Sequence, residues 1–174
     1  MAGLEQSWKD LVEAGERAKN KSISIRRKVA AICFMLRQPT MLPVFVESNF
    51  GWNHIPNNPE EPLEWVKGEH GVDYTQGELL QHNIDDLFSK PHVRHAEIHA
   101  LMRLIGQPSE SVNSIYTTAS CCLDCAKQIV EYAPFIKNVF YSSDYSCDLG
   151  IDYLKNNGVN VFFLDIKRLA YKKV

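Results

Sequence analysis

SIYTTASCCLDCAKQIV, Ser114 to Val130, sets a short apolar run directly before a segment that opens on Cys-x-x-Cys. Val112 to Thr118 has the β-branched and aromatic content of a strand, and Cys122 to Glu131 predicts a helix. The alternation continues downstream with a strand over Ile136–Tyr141, a helix over Leu149–Asn156 and a strand over Val159–Phe163. Gly158 stands just past the last of these helices, where a left-handed cap residue is expected. Strands that alternate with helices need a sheet with crossover helices packed on it. This half of the chain therefore predicts βαβ units.

Upstream, KVAAICFMLR (Lys28 to Arg37) contains the longest apolar run, Val29 to Leu36, and predicts a buried strand. PVFVES (Pro43 to Ser48) predicts a second strand, with Pro39 and Pro43 marking the turn before it. An opening hairpin followed by βαβ units gives an α/β sandwich with a mixed sheet. Leu4, Trp8, Leu11, Val12 and Ala18 recur at near-helical spacing and predict an amphipathic first helix. Asn49 to Gly71 is rich in Asn, Pro and Gly and reads as a long loop, a lid or a binding loop. Gln76 to Phe88 predicts a short helix, and His95 to Leu104 another, stopped by Gly106-Gln107-Pro108. The 174 residues suit one domain with one sizeable core.

Composition narrows the function. The formal net charge is −2, without the basic surplus expected of a protein that grips a nucleic-acid backbone. Two local basic clusters, Lys19 to Lys28 and Lys167 to Lys173, read as solvated ends of elements. No apolar run reaches the roughly 18 residues of a membrane span, and the first residues mix acids and bases as no secretory signal does. A cytoplasmic location is expected. Five cysteines, an odd number, argue against a disulfide framework, and the crowding in CCLDC points to metal or redox chemistry. Cys33 and Cys147 read as small buried apolar side chains.

The chemistry-bearing residues are His95-Ala96-Glu97 and Cys122-Leu123-Asp124-Cys125. Zinc takes thiolates and imidazole tetrahedrally, and three protein ligands leave a fourth position for water. Cys122 and Cys125, at a helix start, can face one ion, and the helix N-terminus favours the thiolate form. His95 completes the trio from a neighbouring helix. Zinc lowers the pKa of a bound water from 15.7 toward about 7, and Glu97, two residues from His95, is placed to move its protons. A lone Cys-x-x-Cys also fits a redox pair or half of a structural site. A closed zinc site with Cys121 or His99 as fourth ligand is the alternative.

His-x-Glu followed by Cys-x-x-Cys resembles the zinc-deaminase signature. From about Arg26 to Phe163 the chain resembles the cytidine deaminase superfamily, and most closely its deoxycytidylate (dCMP) deaminases. GWNHIPNN (Gly51 to Asn58) is similar to that family's Gly-Tyr-Asn-Gly-x-Pro loop, and Glu64-Trp65 to the Pro-Trp that follows it there. SIYTTASCCLDCAKQIV resembles its strand and zinc helix, IKNVFYSSDY (Ile136 to Tyr145) its next strand, and LKNNGVNVFF its closing helix and strand. The resemblance implies a three-layer α/β/α cytidine-deaminase-like sandwich with a mixed central sheet. It implies a Zn2+ cofactor and a homo-oligomer.

By the same resemblance, His95, Cys122 and Cys125 are the metal ligands and Glu97 is the catalytic residue. Asn53 matches the loop asparagine that contacts the substrate sugar. The amide of Ala96 and the carbonyl of Ser120 match positions that read a pyrimidine, and Tyr141 and Tyr145 sit where the substrate pocket closes. Each tyrosine also reads as an aromatic packed at a strand end. Cys121 stands where the family has proline, His54 where it has glycine, and His99 where dCMP deaminases carry asparagine; the His95–Leu101 run is closer to riboflavin-biosynthesis deaminases. His54 and His99 read as polar residues or as contacts for a phosphate. The resemblance implies hydrolytic deamination of a free pyrimidine nucleotide, dCMP to dUMP. The competing readings are a deaminase acting on another nucleoside or on a base within RNA or DNA, and a non-catalytic module that keeps zinc for stability. No function is assigned to residues 67–90.

Overall fold

The structure is a computed structural model and describes residues 2–105, 112–144 and 148–174. Its centre is β1 (Ala30–Arg37), an apolar strand buried almost throughout, as a strand covered on both faces must be. β1 lies antiparallel to β6 (Ser114–Thr117), with Ile32 opposite Tyr116. β6, β7 (Asn138–Tyr141) and β8 (Asn160–Asp165) then run parallel. α4 (Leu123–Tyr132) and α5 (Leu149–Asn156) link them as the crossovers that parallel pairing requires. β9 (Ala170–Lys173), an antiparallel edge strand, pairs with β8 and closes the seven-stranded sheet. The sequence reading missed β9, because AYKK has no apolar alternation to separate it from a solvated tail.

The period-2 alternation of β1 sorts its side chains to two faces. Ala30, Ile32, Phe34 and Leu36 pack against Trp8, Leu11 and Ala14 of α1 (Ala2–Lys19), and Phe140 joins them from β7. Ala31 and Cys33 face the other layer, which α3 (Ala96–Met102), α4 and α5 supply through Ala100, Ile129 and Leu154. The three-layer α/β/α sandwich with a mixed sheet is thus the observed fold. Cys33 is fully buried in it, and burial pushes its thiol pKa up. Cys147 lies outside the described residues.

The region read as a loop, 49–71, contains structure. The strand expected over Pro43–Ser48 is β2 (Leu42–Val44), followed by a 3-10 turn over Glu47–Asn49 and then β3 (Phe50–Trp52). β2 and β3 both pair with β1, at opposite ends of it. A second, two-stranded sheet joins β4 (Glu64–Val66) to β5 (Leu87–Ser89). The helix expected over Gln76–Phe88 is one turn, α2 (Gln76–Leu79), which a capping box at Thr75 and Glu78 starts; Ile84–Asp86 form a 3-10 turn before β5. Strands of three residues are too short to show periodicity. No helix among the described residues is long and apolar enough to cross a membrane.

Two glycines are set by this packing. Gly158 has φ of +78°, the left-handed cap expected after α5. At Gly51 a Cβ would stand 2.3 Å from the Ala96 carbonyl oxygen and 2.4 Å from the Ala100 nitrogen. Only glycine lets β3 approach the first turn of α3 this closely, and that turn carries the site.

Candidate active site

His95 and Cys122 are both N-cap residues, of α3 and α4 respectively. The capping positions aim side chains back over the helix starts, so two residues far apart in sequence meet. Cys122 Sγ lies 3.4 Å and Cys125 Sγ 3.3 Å from His95 Nδ1. The three ligand atoms fall within 4.8 Å of one another. Tetrahedral zinc, with bonds near 2.3 Å to sulfur and 2.0–2.1 Å to nitrogen, sets its nitrogen and sulfur donors about 3.5 Å apart. The ligand set fits zinc in donor type and spacing.

Electrostatics favour the thiolate form of Cys122. Cys122 sits at the N-terminal end of α4, where its sulfur accepts the Cys125 N–H at 3.5 Å. The Cys125 thiol, donating to it, brings the Cys122 pKa down to about 4, and His95 adds to this. Cys125 is correspondingly raised, chiefly by the same bond to Cys122. The Cys122 sulfur also raises the pKa of His95, against the effect of burial.

No fourth side chain completes the shell among the described residues, because the metal-competent group is His95, Cys122 and Cys125 alone. His99, one of the two candidates for a closing ligand, points elsewhere. Arg103 Nε donates to its Nε2 at 3.1 Å, and its Nδ1 lies against the Trp52 backbone, 3.2 Å from the N–H and 3.1 Å from the carbonyl. Cys121 is buried beside Glu97, and burial pushes its thiol well up. Glu97 itself, in the first turn of α3, is 4% exposed and lies outside the ligand group. Burial raises its pKa, while its contacts with His95 and Cys121 oppose the rise.

A cavity opens over these groups, and its walls include His95, Ala96, Glu97, Ser120 and Cys122. Asn53 also lines it, but both ends of its amide are engaged: Oδ1 accepts the Val29 N–H at 2.9 Å and Nδ2 donates to the Arg27 carbonyl at 3.0 Å. The structure thus brings together Asn53, Ala96 and Ser120. Tyr141 is not among the lining residues; it is buried between the sheet and the α4–α5 layer, with its ring 5.5 Å from Phe163. Alternation along β7 turns Phe140 toward α1 and Tyr141 the opposite way. Tyr145 lies outside the described residues. Arg27 and Ser89 line the cavity and escaped the sequence reading. By sequence Arg27 belongs to a solvated basic cluster, and its place beside Asn53 is visible only in the fold.

Residues 50–143 match the family model for the cytidine and deoxycytidylate deaminase zinc-binding region. The chain belongs to this family. It is therefore a zinc-dependent hydrolytic deaminase, and Zn2+ is the metal of its ligand trio. Among solved structures it is similar to the dCMP deaminase of the cyanophage S-TIM5 in complex with dCMP and dUMP. The two share 27% identity over 88% of this chain and 93% of the phage chain, with a TM-score of 0.58. The apo form of the phage enzyme gives 25% identity over 90% and 94% of the two chains, with a TM-score of 0.54. The fold also matches the diaminohydroxyphosphoribosylaminopyrimidine deaminase/5-amino-6-(5-phosphoribosylamino)uracil reductase of Thermotoga maritima, at 14% identity and a TM-score of 0.52. That match covers 95% of this chain and 40% of the other, longer one. No curated protein matches the chain in sequence.

Proposed function

We propose that this deaminase converts dCMP to dUMP and releases ammonia. The observation that carries the reading is the cavity that joins Glu97 and the ligands His95 and Cys122 to Asn53, Ala96 and Ser120. The likeness to a phage enzyme crystallised with dCMP and dUMP supports the substrate class. When bound, zinc acts as a Lewis acid that makes a coordinated water acidic enough to react near neutral pH.

The chain's own residues do the rest. His95, Cys122 and Cys125 hold the metal. Glu97 takes a proton from the attacking water and delivers it to N3 as the new C4–O bond forms. A second proton passed through Glu97 reaches the exocyclic amine, the C4–N bond breaks and ammonia leaves. The Ala96 amide and Ser120 carbonyl hold the pyrimidine edge, and Asn53 shapes the sugar end of the cavity. Tyr141 packs in the core and takes no part in this scheme.

Both apolar cores share one sheet, which supports reading residues 1–174 as a single deaminase domain. The need for reduced thiolate ligands supports a cytoplasmic location. The enzyme assembles as a homo-oligomer in this reading. Supporting it is an apolar groove between α3 and α4, where Ile105 is 78% and Tyr132 70% exposed; light scattering reads the state.

The decisive assay incubates the zinc-loaded protein with dCMP, cytidine, deoxyadenosine and single-stranded DNA and follows ammonia. Release from dCMP is expected. Ammonia from the polymer alone would replace this reading with one of base editing in DNA, and none from any substrate would leave a zinc-stabilised binding module.

A further inference from the structure

Each half of the metal site is carried by a capping turn, and a glycine from another element packs against each turn. A Cβ at Gly150, in the first turn of α5, would stand 2.1 Å from the Cys121 carbonyl oxygen and 2.9 Å from the Cys122 carbonyl carbon. On the His95 side the counterpart is Gly51, whose Cβ would run into the Ala96 oxygen and the Ala100 nitrogen. Those two atoms are i and i+4 partners in the α3 ladder, so a methyl there would wedge the first turn open. Other glycines behave differently. Gly15 would meet the Tyr116 and Thr118 side chains, and Gly68, Gly71, Gly77 and Gly158 would meet nothing within 4 Å.

Close packing at these two points fixes the metal donors. Cys122 Sγ and Cys125 Sγ come to 3.4 and 3.3 Å from His95 Nδ1 because α3 and α4 start where they do. An ordinary contact for a Cβ begins at 3.4 Å, whereas a metal site holds its donors within about 0.2 Å of their proper distances. A methyl at either glycine would therefore move a cap further than the site tolerates. α5 reaches the Cys122 cap because Ile151 and Leu154, both buried, draw it into the same core as Cys125 and Ile129. The turn into Cys122 is fastened at its other end by Ser143, just past β7. The Ser143 carbonyl accepts the Ser120 N–H at 2.8 Å, and its hydroxyl donates to the Thr118 carbonyl at 2.6 Å.

We infer that Gly51 and Gly150 are positioning residues of the metal centre, which set how deeply the His95 and Cys122 caps sit and so the separation of the nitrogen and sulfur donors. Ser143 is the third member and steadies the turn that enters Cys122. None of the three belongs to the ligand group. Each acts through the backbone of a ligand-bearing turn.

The test measures zinc affinity by chelator competition, and the geometry of the site by the visible absorption of cobalt(II) in place of zinc. Gly150→Ala and Gly51→Ala should each weaken zinc binding by about 10- to 100-fold, the scale of a lost support around a metal ligand, and should shift the cobalt bands. Gly158→Ala is the control, just past the far end of α5. Strain at its φ of +78° should lower Tm, but with nothing around it the zinc affinity and cobalt bands should stay as they are. Ser143→Ala adds no atoms and should weaken zinc by about 3- to 10-fold, the worth of one hydrogen bond. Ser143→Thr should restore the affinity. Folded glycine variants with unaltered affinity and cobalt bands would overturn the inference. Equal losses in Gly158→Ala would overturn it too, since the effect would then be one of general stability. Should a glycine variant fail to fold, Ser143→Ala decides alone, and an unchanged affinity in it would sink the proposal. Zinc affinity is read without substrate, so a failed dCMP assay leaves this outcome standing.

Discussion

The first and last turns of α3 carry the same residue type to opposite ends. His95 caps the helix at an exposed edge, where the Cys122 sulfur draws its pKa upward. His99, one turn on, is 9% exposed, and its pKa is pushed down to about 4 by burial first, then by His54 and the cations Arg103 and Arg94. The first turn faces sulfur and an open cavity; the last is wedged against Trp52 and His54, with ring centroids 4.7 and 4.0 Å away. Lys21 and Arg103 lie over the Trp52 ring at 4.9 and 5.1 Å. Imidazole chemistry is common to both turns, and the groups packed around each ring set its use. One end is built to hold a metal, the other to lock the helix onto β3 in a neutral form.

That contrast can be broken from either end. The largest effect is expected at the first turn: Glu97→Ala should lower turnover by about 10³-fold or more, in the range of a lost proton shuttle, while bound zinc stays stoichiometric. Metal analysis of that variant is the check, and a zinc-free Glu97→Ala protein would make Glu97 a ligand. Cys122→Ala should lose the metal and, with it, stability, because forming the site is coupled to folding; a fall in Tm on the order of 10 °C is expected by calorimetry. A fully zinc-loaded Cys122→Ala protein would point to a different ligand trio.

The last turn should respond more mildly and through pH. A histidine whose folded pKa lies below its unfolded value favours the neutral form in the native state. Its contribution is fully present above pH 6.5 and is lost as pH falls toward about 4. For His99 this amounts to a loss on the order of 2 kcal/mol, after allowance for its partial contact with solvent. His99→Asn, the residue dCMP deaminases carry here, should flatten stability between pH 7 and 4.5 in denaturant titrations while leaving zinc content unchanged. An unchanged pH profile would show that His99 is protonated without cost, and the lock would lose its basis.

The metal ligands were legible because each pair of requirements is local. Cys122 and Cys125 stand one helical turn apart, and His95 and Glu97 share a first turn, so spacing alone placed the right atoms together. For Tyr141 a strand end alone leaves open which face the side chain takes; Phe140 beside it packs on α1, and Tyr141 packs on the α4–α5 side. β3 and β4, three residues each, left no periodic trace and passed for loop. Arg27 and Glu64 were illegible for a different reason. A basic residue in a basic cluster and an acid beside a tryptophan look solvated until the fold brings residues 24–27 against β4.

From its sequence alone this protein is a zinc-site α/β sandwich, since helix starts with cysteine and histidine at these spacings and a strand as apolar as β1 admit few other arrangements. Which side chains form the rest of the cavity was decided by tertiary structure. Contacts across 39 residues, such as Ile25 to Glu64, or across 117, as from Arg27 to Asp144, have no local signature. They exist only once the sheet has fixed the distance between its ends.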